Sequence, residues 1–384
     1  MFNLNEWQAI IQAGENGSIE FKSAEVRLDS LAKEIVAFSN SQGGLILLGV
    51  EDDGTISGLS ETKNYEEWVM NIARNNVIPA IQIEFSYSWL NDKKIAVITV
   101  PRGKDKPYQT VDAKYLIRVG TTNRQATQQE LLRLFQASGA FHFDAMPVRG
   151  TSIKNLNLSK IDAYFRRYEF EFAQENESDK ITILKNSDIL TEHGEVTVGG
   201  MLIFGLNSGR YLPQAGIAFA HFTGTDISDE LIDKQNIDGT LDEQIDKGLA
   251  VIKNNWLMPS KIIGTKRENS RFIFSDKVFR ELLTNACVHR NYAIAGSQIR
   301  IFMFADRLEF RSPGRLPNAI TIEKLKVGVS YAINPILVKF MENLRYIERL
   351  GRGLPMVYRE AQKNNKRLEF KEIGEEFWVT LGVD

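Results

Sequence analysis

The run Gly43-Gly44-Leu45-Ile46-Leu47-Leu48-Gly49-Val50 constrains this chain more than any other segment. A strand with one wet face alternates apolar and polar residues. A nearly continuous apolar strand is covered on both faces. Gly43-Gly44 breaks the helix expected before it, and Asp53-Gly54 after it signals a hairpin turn. Upstream, Leu31, Ile35 and Phe38 keep near-helical spacing and predict a helix over Leu28–Ser39, while Ile19–Lys22 reads as a strand. Charge flanks this unit. Glu15 and Glu20 lie five residues apart beside Lys22, and Asp52 and Asp53 follow the buried strand.

Further elements follow the same logic. Tyr65–Asn75 reads as a helix, and Ile81–Trp89, Lys94–Pro101 and Tyr115–Val119 as strands. Thr127 with Glu130 three residues on is a capping box opening a helix over Thr127–Gln136. Ser159–Gln174 reads as an amphipathic helix capped by Ser159. Ala215–Phe222 is an expected strand and Leu241–Asn255 an expected helix. Ser275–His289 reads as a helix, Gln298–Phe304 with Arg307–Arg311 as a hairpin, and Asn334–Asn343 and Leu354–Asn364 as helices. The class is α+β and multidomain, with expected domains 1–143, 144–260 and 261–384; the chain's 384 residues have room for all three.

Composition excludes several function classes. A net charge of −2 means that a nucleic-acid partner would be held by a local basic face. A single cysteine, Cys287, excludes an intrachain disulfide and a multi-cysteine zinc site, and fits a reducing cytoplasm. The start lacks a signal-peptide pattern, and no apolar run approaches the roughly 20 residues of a membrane span. His142, His193, His221 and His289 show no metal-ligand spacing, and there is neither a P-loop nor a nucleophile elbow.

Three constellations carry chemistry. In the first, Glu15, Glu20, Asp52 and Asp53 are oxygen ligands of the kind that hold Mg²⁺ or Mn²⁺ at a phosphodiester, and Lys22 is placed to steady the phosphate. Asp52 and Asp53 follow the next strand, and either could meet Glu20 and Lys22. Glu20 and Lys22 share one strand face, with Phe21 on the core side. The same residues also suit a solvated cross-strand pair and a plain turn. In the second, the span from Arg102 to Arg133 holds seven Lys/Arg against three Asp/Glu, with Tyr108 and Tyr115 interleaved. That local excess suits phosphate contacts and base stacking; Arg102 and Lys114 are candidates. In the third, Glu281 and Asn285 sit at i and i+4 on one helix face. Ser312-Pro313-Gly314 follows a strand, and Gly351-Arg352-Gly353-Leu354 opens a helix whose backbone N–H groups suit a phosphate.

E-x-x-x-x-E-F-K, the helix ending A-F-S-N, and G-G-L-I-L-L-G-V-E-D-D-G resemble the Schlafen-type AlbA domain from about Glu15 to about Leu134. Y-L-I-R-V-G-T-T-N-R-Q-A-T resembles the end of that domain. The resemblance implies nucleic-acid binding, with Arg118, Thr121, Asn123 and Arg124 as contacts. In those relatives that are RNases it implies a metal triad matching Glu15, Glu20 and either Asp52 or Asp53. T-V-G-G-M-L-I-F-G resembles the middle region of the same multidomain family. N-A-C-V-H-R-N-Y, D-R-L-E-F-R-S-P-G and N-P resemble the divergent GHKL-type ATP-binding unit that follows such domains. This implies ATP as ligand, Asn285 toward Mg²⁺, Glu281 toward water, and Ser312, Gly314, Gly351 and Gly353 in the glycine boxes. Ser312 stands where the GHKL pattern has an adenine-reading Asp, Asp306 lies six residues earlier, and Ile333 replaces an Arg, so hydrolysis is not expected to be strong. Three functions stay open on the sequence. They are a cytoplasmic nucleic-acid-binding transcriptional regulator with a nucleotide module, a metal-dependent RNase or DNase, and a homo-oligomeric interaction protein.

Overall fold

The computed structural model describes residues 4–139, 141–256, 261–263, 266–268, 274–317, 320–329, 331–348 and 351–383. The chain divides into two compact units, Met1–Phe141 and His142–Asp384.

The first unit runs α1 (Leu4–Ala13), β1 (Ile19–Lys22), α2 (Leu28–Asn40), β2 (Gly43–Leu48), α3 (Tyr65–Asn75), β3 (Glu84–Leu90), β4 (Lys93–Pro101), β5 (Leu116–Val119), β6 (Thr122–Gln125) and α4 (Gln128–Ala137). A four-stranded sheet has the order β1-β2-β4-β3. Only β1 and β2 pair in parallel; the other neighbours are antiparallel. The continuous apolar character of β2 now has its cause. Ile46 joins Leu31, Ile35 and Phe38 of α2 on one face of the sheet. Leu47 joins Trp7 of α1, Phe21 and Val97 on the other. Thr127 and Glu130 form the expected capping box at α4.

The second unit runs α5 (Leu158–Phe165), α6 (Glu177–Asn186), α7 (Val198–Phe204), β7 (Ile217–Phe222), β8 (Leu231–Ile237), α8 (Leu241–Trp256), α9 (Asp276–Val288), β9 (Ile299–Met303), β10 (Arg307–Pro313), α10 (Ile322–Lys326), α11 (Pro335–Asn343), α12 (Gly353–Lys363), β11 (Leu368–Ile373) and β12 (Glu376–Gly382). One sheet has the order β8-β7-β9-β10-β12-β11, antiparallel except where β9 pairs with β7. Alternation sends Ile299, Ile301 and Met303 to the same side as Leu308 and Phe310, into a core shared with α8, α9, α11 and α12. The sheet and this core run through both segments that the sequence divides at 260/261, because β7 pairs with β9 across that boundary.

One helix differs from expectation. α5 begins a residue earlier, where Asn157 rather than Ser159 accepts the N–H of Lys160 (3.1 Å). It ends at Phe165 in a 3₁₀ turn, with Glu169 left-handed at φ 59°. Asn is as strong a cap as Ser, and the early stop leaves Phe165 stacked on Phe172.

Candidate functional site

In the first unit β1, α2 and β5 converge on a buried ionic cluster. Glu20 is 4% exposed and Glu34 8%. The Arg118 guanidinium, with a side chain 1% exposed, pairs with Glu20 Oε2 at 2.6 Å and Glu34 Oε2 at 3.4 Å. It also donates to the carbonyls of Asn16 (2.9 Å) and Ile19 (3.2 Å). Lys22 donates to Glu20 Oε1 and lies 3.7 Å from Glu34. Asn123 donates to Glu34 Oε2. Burial alone would lower the Lys22 ammonium, but the bond to Glu20 and the charges of Glu34, Glu20 and Glu15 outweigh it and raise the pKa. Burial and the Glu20 charge hold the Glu34 carboxyl above the usual carboxylate range.

The expected metal ligands do not come together. Glu15 accepts the N–H of Phe21 (2.9 Å) and stays partly buried. Asp52 is exposed. Asp53 makes the turn, accepting the N–H of Thr55 (2.8 Å), which holds its carboxyl below the ordinary value. Among the described residues no three His, Cys, Asp or Glu side chains gather as metal ligands. In this arrangement Glu20 is held in ion pairs with Lys22 and Arg118, and no step through a metal is derived from Glu15, Glu20 and Asp53.

Of the expected nucleic-acid contacts, Arg118 is interior and Asn123 half-buried against Glu34. Thr121 and Arg124 are exposed at the β5–β6 hairpin. Arg124 makes two 2.8 Å bonds to Glu130, whose carboxyl is pulled down to about 2 by that guanidinium. Lys114 pairs with Asp112 at 2.6 Å, and Arg102 is partly buried. The sequence reading missed Glu34. Its signal was available, because Glu34 lies three residues after Leu31 and four before Phe38, on the buried stripe of α2.

In the second unit Glu281, Asn285, Ser312, Gly314, Gly351 and Gly353 all line one cavity of about 390 Å³. Asn285 donates both amide hydrogens to Glu281, to Oε1 (2.6 Å) and to the carbonyl (2.8 Å), so Oδ1 is its open acceptor. Burial raises the Glu281 carboxyl, the Asn285 bond opposes this, and the nearby Glu348 charge adds to it; the pKa is raised. Gly351 is dictated by close approach, because a Cβ there would run into the Gly328 carbonyl; at Gly353 a Cβ would meet the carboxylate of Glu281, the movable end of a side chain. Ser312 donates to the Ala286 carbonyl (3.0 Å). Asp306 pairs with Arg307 in the β9–β10 turn and does not line the cavity.

His289, four residues past Asn285, lines the same cavity, and burial brings its imidazole down to about 4, so it is neutral at physiological pH. Its i+4 spacing from Asn285 was the signal for it. The next residue, Arg290, is fully buried and donates to the carbonyls of Asn291 (2.8 Å), Ile294 (2.7 Å) and Ser297 (2.5 Å). Asn334 donates to the carbonyls of Val288 and Arg290, both at 2.8 Å. The H-R-N-Y and N-P motifs therefore brace the end of α9 while His289 and Pro335 face the cavity.

Comparison with known proteins agrees with this two-part construction. Residues 15–127 match the family model described as "Schlafen, AlbA_2". Residues 296–381 match one described as "Putative ATP-dependent DNA helicase recG C-terminal". No curated protein matches the chain. Among solved structures, the DIP2311 protein from Corynebacterium diphtheriae is similar at 19% identity over 99% of this chain and 80% of its own, with a TM-score of 0.48. The N-terminal domain of a RecG-related protein from Nitrosomonas europaea is similar at 21% identity over 33% of this chain and 95% of its own, with a TM-score of 0.27. The chain thus joins a domain of the Schlafen AlbA_2 family to a C-terminal ATPase-like domain of the recG C-terminal type.

Proposed function

We propose that the chain is a nucleic-acid-binding protein whose second unit binds a nucleotide, and that it acts as a regulator rather than as a nuclease. One observation carries the nucleotide reading. Six residues of the phosphate- and base-recognition motifs, from separate segments between Glu281 and Gly353, line a single cavity. Its size falls within the range of ligand pockets, roughly 300–1,000 Å³. The N-terminal end of α12 opens at Gly353, where the Glu281 carboxylate occupies the space a Cβ would take. Asn285 Oδ1, the N–H groups near Gly353 and the wall around Ser312 are the groups that would meet Mg²⁺, phosphate and base. In the first unit the exposed Thr121 and Arg124 meet nucleic acid, and Lys114 and Arg102 lie earlier in the same basic span. Arg118 holds their hairpin to β1 and α2.

Thermal unfolding tests the nucleotide reading. ATP with Mg²⁺ at about 100 times its Kd stabilises the folded state by about 2.7 kcal/mol, which raises the Tm by several degrees. Asn285→Ala removes the rise. An unchanged Tm at millimolar ATP means that the cavity is not a nucleotide site. A gel experiment with tRNA, single-stranded RNA and duplex DNA, with Mn²⁺ or with EDTA, tests the first unit. Shifted, intact bands in both conditions support binding; metal-dependent fragments overturn it in favour of a nuclease. Light scattering on the same sample tests the homo-oligomer that the resemblance implies.

A further inference from the structure

We infer that a basic groove in the second unit, separate from the nucleotide cavity, is a second binding site for a nucleic-acid backbone. The groove, about 440 Å³, lies where α10, α12 and β11 meet. Its charged lining is Lys326, Lys366, Arg367, Glu369 and Lys371, with Tyr358 as its aromatic wall. Four cations against one carboxylate give a local balance of +3 in a chain whose net charge is −2. Glu369 is shared by Arg367 and, at 3.3 Å, by Lys371. Those cations hold its carboxyl below the usual range, and Arg367 and Lys371 remain 69% and 57% exposed. Among the described residues neither Lys326 nor Lys366 has an ion-pair partner. Lys366 follows the end of α12, where the helix dipole favours a cation. The same dipole argument covers Lys326 in the last turn of α10, and Glu369 holds Arg367 and Lys371; what the fold adds is that these two stretches, 326 and 366–371, line one groove.

The chemistry selects a polyanion of regularly spaced phosphates. Lysine and arginine on a groove wall, repelling one another across it, are relieved by phosphates that displace counterions. Tyr358, with Lys326 Nζ 5.9 Å from its ring centre, gives a base a face to stack on, which a lipid headgroup or an acidic peptide does not use.

This inference rests on the reading that the chain binds nucleic acid and adds a place to it. The test measures affinity against salt for single-stranded RNA, single-stranded DNA and duplex DNA. The full chain is compared with Lys326→Gln/Lys366→Gln/Lys371→Gln and with the corresponding triple Lys→Arg variant. The Gln variant is expected to melt with the wild type and to bind more weakly. Its log K against log salt slope should fall by about 2 to 3 on duplex DNA, since each phosphate contact contributes about 0.9. The Arg variant should keep the wild-type slope. If the Gln variant keeps both slope and affinity, the groove is overturned while nucleic-acid binding by the chain stands. If the wild type binds none of the three probes, the reading itself falls and the groove with it. If the wild type instead sediments with phosphatidylserine vesicles and the Gln variant does not, the groove serves a membrane and the proposal is overturned.

Discussion

Replacing Arg118 with Ala is the sharpest test of how the first unit is built. Its side chain is 1% exposed and touches Glu20, Glu34 and the carbonyls of Asn16 and Ile19. Removing it leaves two buried carboxylates with Lys22 as the remaining cation of the cluster and Asn123 donating to Glu34. Breaking a buried ion pair from one side costs about 3–5 kcal/mol. For a unit of this size that is about 10–15 °C in Tm. The expected loss is also pH-dependent. The Glu34 carboxyl is already raised by burial and by Glu20, so the folded state holds its proton more tightly than the unfolded state does. Stability tied to Glu34 therefore falls as pH rises from its unfolded value through its folded one. Without Arg118 that rise in pKa grows, so the deficit is largest at neutral pH and shrinks on acidification. The assay is thermal unfolding of the full chain across pH, with hydrogen exchange locating the loss to β1, α2 and β5. Arg124→Ala is the control, because Arg124 is exposed and Glu130 keeps its capping box; it should melt near the wild type. Were Arg118→Ala to melt within about 2 °C of the wild type while losing nucleic-acid affinity, Arg118 would be a surface contact and the buried cluster wrong.

Gly353→Ala places a methyl where Glu281 Oε1 now sits, so the carboxylate must leave and Asn285 loses a hydrogen bond. The fold should survive, while the Tm rise with ATP and Mg²⁺ falls by at least half; an intact rise would place the ligand elsewhere. Asp144 is fully buried and accepts the N–H groups of Ile336 (2.7 Å) and Leu337 (3.1 Å) at the start of α11. Burial pushes its pKa up to about 6. The folded state thus favours the protonated acid, and stability from this group is lost as pH rises from about 4 through about 6, by about 3 kcal/mol in all. Asp144→Asn removes that titration, so its stability relative to the wild type should climb over the same window. A constant difference across it would show that Asp144 does not titrate there.

Period and punctuation made the elements legible: the apolar β2, the stripe of α2 and the capping box of α4 all stand where spacing puts them. The cavity was legible for the same reason, since Glu281 and Asn285 are four apart on one helix and the glycine boxes lie at element ends. Sequence could not show how polar groups would divide between inside and outside. Arg118 and Arg124 look alike in R-V-G-T-T-N-R, but the register of β5 with β6 turns one inward to Glu20 and leaves the other on the surface. That choice depends on a carboxylate of α2, eighty-four residues earlier in the chain. A charge excess counted along a segment therefore overstates what reaches a phosphate, because part of it is spent on buried carboxylates. The groove beside Tyr358 is the converse case. Lys366, Arg367 and Lys371 lie close together in sequence, but only the packing of α12 against α10 and β11 adds Lys326 and Tyr358 to them. If the salt dependence of binding follows the groove and Arg124 rather than the full count from Arg102 to Arg133, that division of charge is what sets it.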